Sequence, residues 1–281
     1  MSFKTRSNQT SRWLSDHLSQ FLYSGKIMIP RRQVNKGLLD LHSFEVANGK
    51  YQCHLVGNEN KFVRKFLLDN FYSKAPVPTV LGLYKDKKVT NFLEDELDLL
   101  CDNAASFVIC DSNEVIGAFT NLSFEKSDKD IGYICAEEWL NTAAKLADEM
   151  TPENNPAHFW RNAQFLHLEH FGQHVAQKFD ADFAFHLSGA CLAENYRGNG
   201  HSKIILEEYI KNLVETVSAQ GGVLTTVMNI PALEKFLMKN FANNIHIIDR
   251  VPYSALELRI HGQRVFEKLE KQGSIVFMAF A

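Results

Sequence analysis

Apolar runs alternate along the chain with segments whose apolar residues recur at helical spacing. From Phe183 to Leu192 the residues are mostly apolar and small, with no proline, which predicts a buried strand. From His201 on, Ile204, Ile205, Leu206, Tyr209, Ile210 and Leu213 recur with a helical period, with Lys and Glu opposite them. Glu194 to Gly200 form a polar turn between the two. The pattern predicts further strands at Tyr51–Val56, Ser106–Cys110, Val115–Leu122, Gly222–Val227 and Ser274–Phe280. The second and third of these join through Asp111–Ser112–Asn113 as a hairpin. Helices are predicted over Lys61–Tyr72 and Val89–Leu100, and twice within Ile131–Phe179 around a break at Thr151–Pro156. Pro76 and Pro78 end the first helix.

Residues 1–41 differ from the rest, being rich in Ser, Lys and Arg. Trp13, Leu14, Leu18, Phe21 and Leu22 could stripe a short helix, which leaves a basic tail, a docked helix or a mitochondrial presequence as readings. Residues 42–281 form the remaining domain. The 281 residues suffice for a sizeable core, and 45% hydrophobic with 22% charged content is that of a globular protein. A net charge of −3 gives no reason to expect nucleic acid, and no apolar run reaches membrane-spanning length. Five scattered cysteines without metal spacing point to a reducing, cytoplasmic setting. His167, His170 and His174 share one helical face. They read either as a metal site or as a substrate-facing helix face. No Asp or Cys completes a ligand set, so no metal is assigned.

A strand, a glycine-containing loop and a helix together aim backbone N–H groups and a helix dipole at one point, which suits a phosphate. Gly198 and Gly200 allow close approach, and Arg197 adds a bidentate cation; an ordinary strand-to-helix turn is the alternative. A dinucleotide fingerprint fails because no third glycine follows Gly198–Asn199–Gly200, and a Walker loop is absent. Arg197, Gly200 and Ser202 instead fit Arg-x-x-Gly-x-(Gly/Ala), with Ser for the last small residue. This resembles the acetyl-CoA pyrophosphate loop of the GNAT acetyltransferase superfamily. Asn229, Ala232, Phe236 and Phe241 then match that superfamily's second motif, with Phe236 in place of Tyr and Asn240 in place of a helix-ending Gly. The front half, through Asn70–Phe71 and Leu81–Gly82–Leu83, resembles the invertebrate arylalkylamine N-acetyltransferases, as do Tyr253 and Gly262 to Phe266.

The resemblance implies a mixed α/β fold: a central sheet of about seven strands, splayed at its central strands and flanked by helices. It implies acetyl-CoA as cosubstrate and a small amine, arylalkylamine-like, as acceptor, with the aromatic and apolar stretches Phe71–Leu83, His167–His174 and Arg250–Ile260 as walls of the amine pocket and a monomer or homodimer as the assembly. Ala190, Cys191 and Leu192 would bind pantetheine and the thioester carbonyl, and Gly189 suits a bulge there. Arg197, Gly198, Asn199, Gly200, His201, Ser202 and Lys203 would bind pyrophosphate, with Asn229 holding the cofactor or its turn. Where invertebrate relatives carry a catalytic Glu this chain has Ala75. The His-x-His pair of the vertebrate enzymes falls on His186 and Ser188. His186 is therefore either a water-relayed base or a core histidine. Phe236 replaces the usual acid, leaving Tyr253 or Tyr196 as substitutes, and Cys191 has no partner that would make it a nucleophile. Two functions fit: a transferase acting by proximity, and an acyl-CoA-binding module with little turnover. Acetylation of a protein acceptor is less favoured, since no charged docking patch stands out.

Overall fold

The computed structural model describes residues 43–281 except 57–59, 84–92, 95–96, 99, 102–105, 113, 129–130, 150–155 and 199. The tail assigned to residues 1–41 and the start of the helix over Val89–Leu100 lie outside these. Ten strands are found among the described residues, eight of them in one sheet. They are β1 (Phe44–Val46), β2 (Tyr51–Leu55), β3 (Phe107–Asp111), β4 (Glu114–Glu125), β5 (Phe183–Leu192), β6 (Gly222–Met228), β7 (Ile245–Pro252), β8 (Arg259–Ile260), β9 (Gln263–Arg264) and β10 (Ser274–Phe280). The sheet order is β1-β2-β3-β4-β5-β6-β10-β7, with β8 and β9 paired apart from it. Every described pair is antiparallel except β5 with β6. The sheet thus has eight strands where the resemblance implied about seven; the pattern located six of them, and the additions are β1 and β7, both at edges. β7 alternates too weakly to be read as a strand, since half of its residues are exposed.

The helices are α1 (Asn60–Leu67), α2 (Pro76–Leu81), α3 (Ala136–Glu149), α4 (Pro156–Lys178), α5 (His201–Ala219) and α6 (Pro231–Asn240). A π-helical turn, Leu68–Tyr72, continues α1. Pro76 ends that helix as expected and also opens α2, where its missing N–H costs nothing. Helices α2, α3 and α4 cover one face of the sheet, with Trp160, Phe171 and Phe277 in that core. Helices α5 and α6 cover the other, with Tyr209, Leu213 and Phe185. No helix among the described residues is long and apolar enough to cross a membrane. Asn240 does not end α6 in the left-handed region. The residue after the helix, Phe241, has φ −122°, and Asn240 Nδ2 donates back to the Phe236 carbonyl at 2.9 Å.

Of His167, His170 and His174, the first two are core residues, and His174 is half-buried with its ring 4.6 Å from that of Tyr133. His167 is fully buried and lies 5.7 Å from Trp139 and 5.0 Å from Phe277, ring to ring. His170 lies 5.3 Å from Trp139, with Nε2 3.1 Å from the Gly132 carbonyl oxygen. No group of three or more His, Cys, Asp or Glu among the described residues is arranged to hold a metal. Burial pushes His167 down to about 3 and His170 to about 4. His186, on β5, is also buried and pushed to about 3. Above about pH 6.5 all three are neutral folded or unfolded, and their titration costs nothing. Below it the unfolded chain takes up protons that the fold excludes, so stability falls from about pH 6.5 towards 4. The expected melting temperature is flat above neutrality and drops in that window. A His167→Leu variant should show a shallower drop, by about 1.4 kcal/mol per pH unit for one proton. Equal slopes in the two proteins would contradict the assignment.

Candidate functional site

Strand β5 pairs with β4 along its length, from Phe183↔Glu125 to Leu192↔Gly117. It pairs with β6 only from Phe183↔Gly222 to Leu187↔Thr226. Beyond that point β6 continues with β10 alone, Val227 opposite Phe277 and Met228 opposite Val276. The two central strands fork. The cause lies on the other side of β5, where Thr120 faces Gly189 and Asn121 faces Leu187. Ser188 is the extra residue of a bulge, which bends a strand and raises its twist. Gly189 is needed at the bend, because a Cβ there would lie 2.8 Å from Thr120 Oγ1. The bulge also switches faces. Phe183, Phe185 and Leu187 pack towards α5 before it, and Ala190 and Leu192 do so after it. At the crotch the Thr226 hydroxyl donates to the Leu187 carbonyl at 3.1 Å.

Two cavities meet at the fork. An outer channel of about 400 Å³ is lined by Ala190, Cys191 and Leu192 of β5, Arg197, Ser202 and Lys203, and Ala232, Leu233 and Phe236 of α6. Asn70, Phe71, Lys74 and Ala75 close its other side. An inner chamber of about 110 Å³ is lined by His186, Ser188 and Gly189, by Asn229 after β6, and by Arg161, Gln164 and Leu168 of α4. Phe71, Ala190, Leu206, Ile230 and Leu233 line both, so the spaces adjoin at Ala190. The chamber takes side chains from both faces of the sheet and therefore passes through it.

The outer mouth is built for an anion. Gly198 and Gly200 have φ +82° and +85°, and an added Cβ would meet open space at either, so the backbone angle decides these positions. Gly200 caps α5 without a side-chain hydrogen bond; the Lys203 N–H donates to the Gly200 carbonyl at 3.2 Å, and the positive end of the helix is turned to the mouth, as an anion requires. Arg197 acts as a strut. Its Nε donates to the Leu192 carbonyl at 2.7 Å and its Nη2 to the Asn70 carbonyl at 3.0 Å. Asn70 lies in the π-helical turn, so the guanidinium ties the end of β5 to the end of α1. Lys74 pairs with Glu194 at 2.8 Å across the rim. Lys203 is exposed beside it.

Inside, His186 Nδ1 lies 3.0 Å from Thr225 Oγ1. Its low pKa keeps the ring neutral throughout the physiological range. Cys191 is buried and its thiol is pushed up to about 12, so it stands as a thiol and not a thiolate nucleophile. Tyr253 is fully buried against Phe266, 5.9 Å between rings, and lines neither cavity. The Tyr196 hydroxyl donates to Asp111 Oδ2 at 3.0 Å.

The structure thus gathers His186, Ser188, Ala190, Cys191, Leu192, Arg197, Ser202, Lys203 and Asn229 around the fork. Gly198, Gly200 and His201 form the loop and helix start beside it, Tyr253 stands apart, and Asn199 lies outside the described residues. Sequence reasoning missed Arg161 and Gln164 as lining groups. Arg161 and Gln164 give no signal beyond a three-residue spacing on one helix face. The stretches expected to form an amine pocket contribute only in part. Of Phe71–Leu83, Phe71, Val77 and Pro78 line the chamber, of His167–His174 only Leu168, and of Arg250–Ile260 none.

No family model matches the sequence, and no curated protein does. Solved structures match in fold. Arylalkylamine N-acetyltransferase 2 from Aedes aegypti aligns at TM-score 0.59 and 15% identity, covering 82% of this chain and 97% of that one. The Drosophila melanogaster polyamine N-acetyltransferase that forms N-acetylagmatine aligns at 0.53 and 12%, covering 82% and 99%. The C-terminal condensation domain of Ebony, solved with beta-alanyl-dopamine, aligns at 0.51 and 15%, covering 83% and 99%. The chain has the GNAT fold, a mixed α/β arrangement built on one large sheet.

Because Gly189 sits against Thr120, Gly189→Val should force the bulge apart. The expected loss is about 1–3 kcal/mol, read as a lower urea midpoint. An unchanged midpoint would show that the bulge is not the tight point.

Proposed function

We propose that the protein is an acetyl-CoA-dependent N-acetyltransferase that passes the acetyl group directly to a small primary amine in a ternary complex. The observation that carries this reading is the fork between β5 and β6. It leaves the β5 edge from Ser188 to Cys191 without a ladder partner, in a channel whose mouth suits a pyrophosphate. A pantetheine arm supplies amides for that edge, and its thioester then reaches Ala190, where the channel joins the chamber. The amine enters from the chamber side. The neighbours' acceptors differ, an arylalkylamine in one and agmatine in another, so the fold does not choose the acceptor. A chamber of about 110 Å³ with one aromatic residue, Phe71, among its lining favours a small acceptor.

The amine nitrogen attacks the thioester carbon, the C–S bond breaks, and the products are an N-acetyl amine and CoA. The nitrogen loses a proton and the thiolate gains one. Juxtaposition of the two substrates supplies much of the rate. His186 is the group at the chamber that can accept the proton, and its low pKa requires prompt release to water. With Phe236 in the channel and both candidate phenols turned elsewhere, the thiolate is reprotonated from solvent. The same thinning of proton donors favours a second reading, an acyl-CoA-binding module without turnover.

Thiol release with a panel of amines separates the two. The transferase reading expects amine-dependent CoA release, and the binding reading expects none from any amine. His186→Ala should lower kcat by about 10²-fold, at the low end of general-base effects. In the wild type kcat/KM should rise with pH until the acceptor's ammonium is deprotonated, with no limb near pH 6.5 from His186. A limb there that disappears in His186→Ala would contradict the neutral-histidine account.

A further inference from the structure

We propose that Phe71 sets the length of the acyl group, admitting acetyl and holding back longer chains such as butyryl. The inference rests on the acetyl-transfer reading of the same site. Five residues line both cavities, and Phe71 is the one aromatic among them. Leu206, Ile230 and Leu233 come from α5 and the start of α6, and Phe71 from the other side, so the passage beside Ala190 runs between its ring and their side chains. The ring tip also covers the bulge: a Cβ at Gly189 would lie 3.6 Å from Phe71 Cζ. An acyl carbon beyond the thioester carbonyl has the pantetheine arm behind it and the chamber ahead. Each added methylene therefore takes room from a chamber of about 110 Å³, where the amine must also stand. The ring is fixed in place. Ser73 N–H donates to the Leu68 carbonyl at 3.2 Å, five residues back, and this wider π-helical turn changes the angle at which Phe71 leaves the helix. The Phe71 carbonyl accepts from the Ala75 N–H at 2.7 Å, and Arg197 holds the preceding carbonyl, that of Asn70, at 3.0 Å. Tyr72, which is buried, stands edge-on to the Phe71 ring at 5.1 Å between centroids. A ring held at these points gives way to a longer chain only at a cost in packing, which an acetyl group does not incur.

The test is thiol release from acetyl-, butyryl- and hexanoyl-CoA, with tryptamine, agmatine and propylamine as acceptors. For the amine turned over fastest, the wild type should favour acetyl-CoA over butyryl-CoA by about tenfold or more in kcat/KM of the amine, with hexanoyl-CoA poorer still. Phe71→Ala should bring the acetyl to butyryl ratio close to one, mainly by lowering the KM of the amine with butyryl-CoA, and Phe71→Leu should fall between. Each ratio is taken within one protein, so a general loss of activity cancels. Circular dichroism establishes that the variants fold, and the milder Phe71→Leu serves where Phe71→Ala does not. Butyryl transfer as fast as acetyl transfer or faster in the wild type would overturn the inference while leaving acyl transfer intact. A ratio unchanged in a folded variant would do the same. Absence of thiol release from every acyl-CoA with every amine would overturn the transfer reading and this inference with it.

Discussion

One extra residue in β5 governs the site. Ser188 is the bulged residue opposite Thr120 and Asn121, and the strand leaves β6 at that point, after Leu187. Without the bulge the parallel ladder would continue towards Leu192 and seal the gap. With it, a stretch of backbone polar groups in the middle of an eight-stranded sheet has no strand to pair with. Buried backbone groups are seldom left unpaired, so the fork is a place built to be completed by something else. The bulge also sets which residues face the gap. Its one-residue slip turns Ala190 and Leu192 to the α5 side, against the channel, while His186 faces the core around Phe171.

The rest of the molecule holds the fork open. Arg197 ties the far end of β5 to the π-helical turn after α1, so the channel keeps its second wall. Burial weakens both His186 and Cys191 as charged groups, so in the proposed transfer positioning is the chief contribution. The outer mouth has Arg197 and Lys203 beside a helix N-terminus, with Lys74 paired to Glu194 across the rim.

Much of this was legible in the sequence. The β5–loop–α5 unit and the closing strand follow from periodicity strong enough to locate them, and the two glycines are where positive φ is required. Gly189 marked the bulge because a strand interior tolerates glycine chiefly at such places. Other features were not legible because they depend on tertiary contacts. β7 is half exposed, and its buried Ile245 and Val251 lie too far apart to announce a face. His167, His170 and His174 form a helical stripe in sequence, and Trp139 and Phe277 show its first two members to be core. Arg197 looked like a phosphate ligand, yet the Leu192 and Asn70 carbonyls that it holds are brought to it by the fold. Arg161 and Gln164 have no motif at all, and the chamber they line is one that the sequence does not outline.

The central claim is that the gap beside Ala190 is a thioester channel. Calorimetric titration of acetyl-CoA into the wild type and into Ala190→Trp, with the variant's fold checked by circular dichroism, tests it most directly. The account predicts one acetyl-CoA per chain for the wild type and loss of binding when the indole fills the junction. Binding of equal strength in a folded Ala190→Trp protein, or no binding by the wild type, would contradict it.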